Sequence, residues 1–220
     1  MNDVYIIGGG PSLREIDFNK LKDLDTIAVN MAAFDVPNPT YCITADSGIF
    51  RKIQEGGFKG IDTTWVMVTN AEHCTMKFRK GVFKNTKTGF VHNPFCVNLL
   101  IRNAGVDGIG FSFKDFRTGY NSGFCGFQLA VLLRYKKIYL LGVDLNPNAS
   151  KCHYHNRYQG GKGRISNGRL DLYYNGFKSA FKIIKKETDI QVFSCSKNSR
   201  LNKLIKFIDF RDLVANEEKD

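Results

Sequence analysis

Several features are missing from this 220-residue chain, and each absence removes a class of protein. No apolar run approaches the ~20 residues that a membrane-spanning helix needs. The first residues lead straight into a β-rich run, so no secretory signal peptide is expected. Six cysteines are scattered without a C-x-x-C pair. That spacing argues against a structural zinc site and for reduced thiols in a cytoplasmic protein. Neither G-x-x-x-x-G-K-[ST] nor G-x-G-x-x-G occurs, so the chain has no Walker A loop and no dinucleotide fingerprint. Acids are the scarce charge: 21 Asp and Glu face 32 Lys and Arg, a net charge of +11.

The excess of positive charge is uneven. Residues 151–206 hold 13 Lys and Arg against three acids, +10 of the total. A basic face of this kind attracts nucleotides, nucleic acid, anionic glycans or an anionic membrane surface, and it also serves simply to keep a protein in solution. With 43% hydrophobic and 24% charged residues, the chain has enough apolar material for one compact domain.

The most informative stretch is V-Y-I-I-G-G-G-P-S-L-R-E at residues 4–15. A short apolar run stops at Gly8, Gly9 and Gly10, and Ser12 and Glu15 then match the S-x-x-E capping box. A strand feeding a glycine loop and a helix start can hold phosphate, because the amides point outward and the helix dipole is positive there. A tight strand-to-helix turn with no ligand is the alternative.

Further strands are expected at 26–30, 41–45, 64–69, 138–141 and 190–193. They are short and nearly all apolar, as strands covered on both faces are. Helices are expected at 122–135, capped by Asn121 or Ser122, at 170–186, and at 199–208. Residues 77–118 lack clean periodicity and are read as irregular connections with short strands. The expected fold class is α/β: a Rossmann-like, mostly parallel sheet with helices on both faces. One domain would cover 1–212, with a lid-like basic loop at about 146–169 and a frayed acidic tail at 213–220.

Ligands in such sheets bind beyond the carboxyl ends of the strands. Asn30 and Asp46 end two strands and suit hydrogen bonding to ribose, base or sugar hydroxyls, although both residue types also make ordinary turns. Asn121, Ser122 and Gly123 open the long helix, where they can hold a second anion or simply cap it. Asp144 closes a buried strand. His153 and His155 follow within C-H-Y-H-N-R-Y, beside Tyr154, Arg157 and Tyr158. An imidazole there can take a proton from an acceptor hydroxyl near neutral pH, and a neighbouring Tyr or Arg can neutralise a leaving phosphate. The H-x-H spacing also suits metal ligation, but no fourth ligand is evident, so no metal site is assigned.

These residues resemble a known family. The strand followed by G-x-G-P-S-L, the I-D-F-x-x-L segment and the strand ending in Asn30 resemble the start of the bacterial sialyltransferases that decorate lipooligosaccharide. The Asn121-Ser122-Gly123 helix, the strand ending K-I-Y-L-L-G-V-D at 137–144, and S-C-S-K-N-S at 194–199 resemble their second half. The same skeleton is similar to the archaeal 6-hydroxymethylpterin diphosphokinase. The resemblance covers roughly 4–50 and 118–200. It implies a glycosyltransferase whose nucleotide sugar is lined by Gly8, Gly9, Gly10, Ser12, Asn30, Asp46, Ser122 and Gly123, with a His as general base and no required cofactor. The family carries Asn where this chain has Gly9 and Asp46. CMP-sialic acid is one donor compatible with the resemblance. The basic charge also permits a modified base in DNA as acceptor, and no residue selects it over a glycan. Two alternatives stand beside this one. An ATP diphosphokinase would need Mg²⁺ on Asp46 and Asp144, and a non-catalytic module would bind nucleotide or nucleic acid. Peripheral contact with anionic surfaces and assembly into a homo-oligomer are compatible with the composition.

Overall fold

The computed structural model describes residues 2–54, 60–70, 90–91, 99–146, 153–155 and 165–217. Among the described residues nine strands form one sheet: β1 (Asp3–Ile7), β2 (Thr26–Val29), β3 (Tyr41–Thr44), β4 (Thr64–Asn70), β5 (Phe90–Val91), β6 (Leu99–Asn103), β7 (Lys137–Leu141), β8 (Gln191–Ser194) and β9 (Lys206–Phe207). Their order is β5-β6-β4-β3-β2-β1-β7-β8-β9. Every neighbouring pair is parallel except β5 with β6.

The short apolar runs build this sheet because alternate side chains feed two cores. Val4, Ile6, Ile27, Val29, Ile43, Val66, Val68, Ile138 and Leu140 face one of them. Tyr5, Ile7, Ala28, Cys42, Trp65, Met67, Tyr139 and Leu141 face the other. The first face is covered by two helices, α2 (Ser122–Leu132) and α3 (Asn167–Glu187), which follow α1 (Ser47–Gln54) in the chain. Their rings interlock: Phe124 and Phe177 lie 5.1 Å apart, and Phe127 and Phe181 5.3 Å. The second face carries α1, α4 (Phe210–Glu217) and three 3-10 turns, at Pro11–Glu15, Phe18–Leu21 and Asn30–Phe34.

The α/β expectation holds, with differences in detail. Residues 199–208 do not form a helix: Arg200–Lys203 makes a single 3-10 turn and Lys206–Phe207 becomes edge strand β9. Ser199 caps that turn and ties it down by donating its hydroxyl to the Val143 carbonyl at 2.7 Å. The segment expected to fray from 213 continues α4 through Glu217, with Leu213 and Val214 packed on the second core. The 77–118 stretch contributes β6, whose Leu100 and Ile101 are buried. Of the lid-like loop, 147–152 and 156–164 lie outside the described residues, and with them Arg157 and Tyr158. The described cysteines Cys42, Cys125 and Cys195 are free and buried. Burial pushes the Cys42 and Cys195 thiols up to about 12. No described helix is long and apolar enough to cross a membrane.

The chain moves outward from β1 through β2, β3, β4 and β6, then returns through α2 to β7 on the far side of β1. The strand order therefore reverses between β1 and β7. The carboxyl ends at that reversal are where open α/β sheets place a ligand crevice.

Candidate functional site

At the reversal, Ile7 of β1 lies opposite both Ala28 of β2 and Leu141 of β7. The glycine loop after β1 therefore sits beside the end of β7 and is bonded to it. Gly8 N donates to Leu141 O and Gly10 N to Gly142 O, both at 2.8 Å. Ser12 donates twice to Asp144, from N to Oδ2 at 2.9 Å and from Oγ to Oδ1 at 2.6 Å. Ser12 Oγ has one proton, and Asp144 receives it. The 2.9 Å contact between Ser12 Oγ and Ser196 Oγ is then donated by Ser196, whose oxygen accepts from Gly142 N at 3.0 Å. One hydroxyl–carboxylate network thus locks together the ends of β1, β7 and β8.

This geometry corrects the reading of the loop. The capping box is not made: Pro11–Glu15 is a short 3-10 turn with Gly10 at its N-cap and no side-chain cap bond. Ser12 turns to Asp144 instead of Glu15. The amides of Gly8, Gly10 and Ser12 donate within the fold. Asp144, a candidate for chemistry, is buried and holds the loop with both carboxylate oxygens.

Asn30 follows β2 and opens the 3-10 turn Asn30–Phe34 in the left-handed region, at φ 55°. Asn tolerates that conformation better than most residues. Its Oδ1 is buried and has no hydrogen-bond partner among the described residues. Buried acceptors are rarely left unmatched, so this oxygen marks a place where something else donates.

Beyond β3, Asp46 caps α1: its Oδ1 accepts from Gly48 N at 2.7 Å and Ile49 N at 3.4 Å. Asn121 caps α2, accepting from Phe124 N at 2.9 Å and donating from Nδ2 to Gly119 O at 2.8 Å. Ser122 Oγ accepts from Ala45 N at 3.2 Å, which pins the start of α2 to the end of β3. Gly123 lies in the first turn of α2. Asn121 thus makes the capping bond that is its alternative reading, and Asp46, whose alternative is an ordinary turn, caps α1.

His153, Tyr154 and His155 come back over the glycine loop. Tyr154 N donates to Gly9 O at 3.1 Å. Arg14 donates from Nε to Tyr154 O at 3.3 Å and from Nη2 to His153 O at 3.2 Å. Tyr154 OH donates to Asp35 Oδ2 at 2.5 Å, and its ring packs near Phe18. The His153 and His155 rings are nearly parallel, 5.7 Å apart. Burial holds the His153 imidazole below the usual histidine range, with a backbone hydrogen bond to Gly9 pulling partly the other way. It is therefore neutral near pH 7 and can accept a proton.

The sheet edge thus brings together Gly9 with His153, then Asn30, then Ala45–Asp46 beneath the start of α2. Among the described residues no group of three His, Cys, Asp or Glu is arranged to hold a metal ion. Sequence reasoning missed Arg14, Asp35 and Ser196. Ser196 sat in the S-C-S-K-N-S segment already singled out; Arg14 and Asp35 carried no local signal.

Two solved structures resemble this one. The sialyltransferase CstII from Campylobacter jejuni, solved with the substrate analogue cytidine-5'-monophosphate, aligns at a TM-score of 0.49 and 19% identity, over 94% of this chain and 85% of that one. The MAf glycosyltransferase from Magnetospirillum magneticum aligns at a TM-score of 0.47 and 14% identity, over 99% of this chain and 36% of that one. No protein-family model matches the chain, and no curated protein does.

Proposed function

We propose that this chain is a glycosyltransferase that moves a sugar from a nucleotide sugar to an acceptor hydroxyl. The observation that carries the reading is the buried, unmatched Oδ1 of Asn30 at the carboxyl end of β2, on the same edge as the neutral His153. A nucleotide sugar supplies what Asn30 lacks, a ribose hydroxyl or a base amine that donates to it. In the step itself, His153 takes the proton from the acceptor hydroxyl. The acceptor oxygen forms the new bond to the anomeric carbon, and the bond from that carbon to the nucleotide phosphate breaks. The phosphate leaves with the electron pair. Arg157 and Tyr158 are the candidates to balance its charge, and His155 stands beside His153 as the second imidazole. Gly9, Ser122 and Gly123 would line the donor, with Gly8, Gly10, Ser12, Asp144, Asp46, Asn121 and Tyr154 holding the loops that shape the site.

The Mg²⁺-dependent diphosphokinase alternative fits the donor set less well. Both oxygens of Asp144 already accept from Ser12, and Asp46 Oδ1 caps α1. A thermal-shift panel of CMP, UDP, GDP and ATP with their sugars, with and without Mg²⁺, tests the choice. Stabilisation by one nucleotide sugar without metal supports sugar transfer. Stabilisation by ATP only with Mg²⁺ replaces it by diphosphate transfer. No response to any nucleotide, with salt-sensitive DNA binding, removes both.

A further inference from the structure

His153 is held in place by its neighbours on three elements, and its own carbonyl accepts from Arg14 Nη2. A Cβ built on Gly9 would sit 3.0 Å from His153 Nδ1 and 3.7 Å from Cε1. That is tighter than most side-chain contacts, so any other residue at position 9 would press on the imidazole and push it by a few tenths of an ångström. The backbone around it is fastened from three elements. Gly9 O on the loop after β1 accepts from Tyr154 N. Arg14 on the following turn donates to the carbonyls of both His153 and Tyr154. Asp35, at the end of the turn that Asn30 opens, accepts from Tyr154 OH. The Tyr154 ring meanwhile packs against the second core.

We propose that Gly9, Arg14 and the Asp35–Tyr154 pair are positioning residues that hold the His153 imidazole over the end of β1; the inference rests on the sugar-transfer reading only for what the imidazole then does. The Asn30 turn fixes both halves of the site, presenting the Asn30 amide at its start and the Tyr154 anchor at its end. The charged and titratable groups on the elements packed against this segment are Arg14 on the turn after β1, which meets the His153 carbonyl, Asp35, which holds Tyr154, His155 beside His153, and Asp144 at the end of β7, which lies against Gly10.

The test is an NMR titration of the histidines in the full chain without donor, with the His153 signal assigned by its loss in His153→Gln. Gly9→Ala presses a methyl group against the imidazole, and Tyr154→Phe removes the anchor hydroxyl. Both are expected to let water reach His153 and move its pKa upward, toward the ordinary value of about 6.5. Asp35→Asn keeps an acceptor and is expected to retain most of the wild-type titration. In a transfer assay, the acid limb of the kcat profile moves in the same direction in the same variants. An unchanged His153 titration in folded Gly9→Ala and Tyr154→Phe overturns the proposal. Should Gly9→Ala fail to fold, Tyr154→Phe and Arg14→Gln decide it. A titration that moves in a protein turning over no nucleotide sugar sustains the positioning and rejects the transfer reading.

Discussion

Gly142 and Asn30 both adopt left-handed backbone, at φ 65° and 55°, and they do so for different reasons. At Gly142 the conformation lets the end of β7 pass Leu13: a Cβ there would lie 2.6 Å from Leu13 Cγ. Gly142→Ala therefore combines backbone strain with a clash in a closed core, and we expect a loss of at least about 2 kcal/mol in urea unfolding. Asn30 is different, because its orphaned Oδ1 contributes nothing to the fold. Asn30→Gly keeps the backbone angle accessible and removes the unmatched acceptor. Stability should stay within about 1 kcal/mol of wild type while nucleotide-sugar affinity falls about tenfold, measured by calorimetry. His153 adds a pH signature. Its folded pKa lies below its unfolded value of about 6.5. The unfolded chain binds the proton first, so this contribution to stability is present above about pH 6.5 and lost as pH falls below it. The urea midpoint of wild type should drop between about pH 7 and about pH 5.5, and His153→Gln should flatten that drop.

At the scale of elements, the buried Gln128 of α2 shows how a helix organises what lies beside it. Its Oε1 accepts from Gly110 N at 2.8 Å and Arg117 N at 3.3 Å, and its Nε2 donates to Gly110 O at 2.8 Å. Gln128→Leu would leave those buried backbone groups unmatched, at a cost of about 2–3 kcal/mol read from thermal or urea unfolding. Nothing in the sequence announced that role, since Gln is an ordinary helix residue. Strands β1, β2, β3, β4, β7 and β8 were legible because runs such as V-Y-I-I and T-I-A-V feed both faces of the sheet. Helix α2 was legible from its Asn121 cap and apolar run. What escaped was decided by distant partners. Ser12 chose Asp144, 132 residues away, over the local Glu15. Ser199 chose the Val143 carbonyl, and its segment became a turn and an edge strand instead of a helix. At the site, Asn30 was visible as the polar end of an apolar run. Arg14 and Asp35 became visible only when the fold set Tyr154 between them.

For the molecule as a whole, the sheet reversal at β1 and β7 gathers the informative residues onto one edge, while much of the positive charge lies elsewhere. Lys178, Lys182, Lys185 and Lys186 are exposed along α3, and among the described residues only Lys186 of these has an acidic partner, Glu187. The double variant Lys182→Glu, Lys185→Glu should shift folding stability by no more than about 0.5 kcal/mol. Its effect should appear instead in affinity for polyanions at low salt. The central claim is that a nucleotide sugar binds at the carboxyl edge of the sheet through Asn30. Calorimetric titration of wild type and Asn30→Gly with the nucleotide sugar that most stabilises the fold, in the presence of EDTA, addresses it directly. The account predicts saturable binding to wild type and about tenfold weaker binding to a folded Asn30→Gly. Equal affinity in the two proteins, or binding to wild type only when Mg²⁺ replaces the chelator, would contradict it.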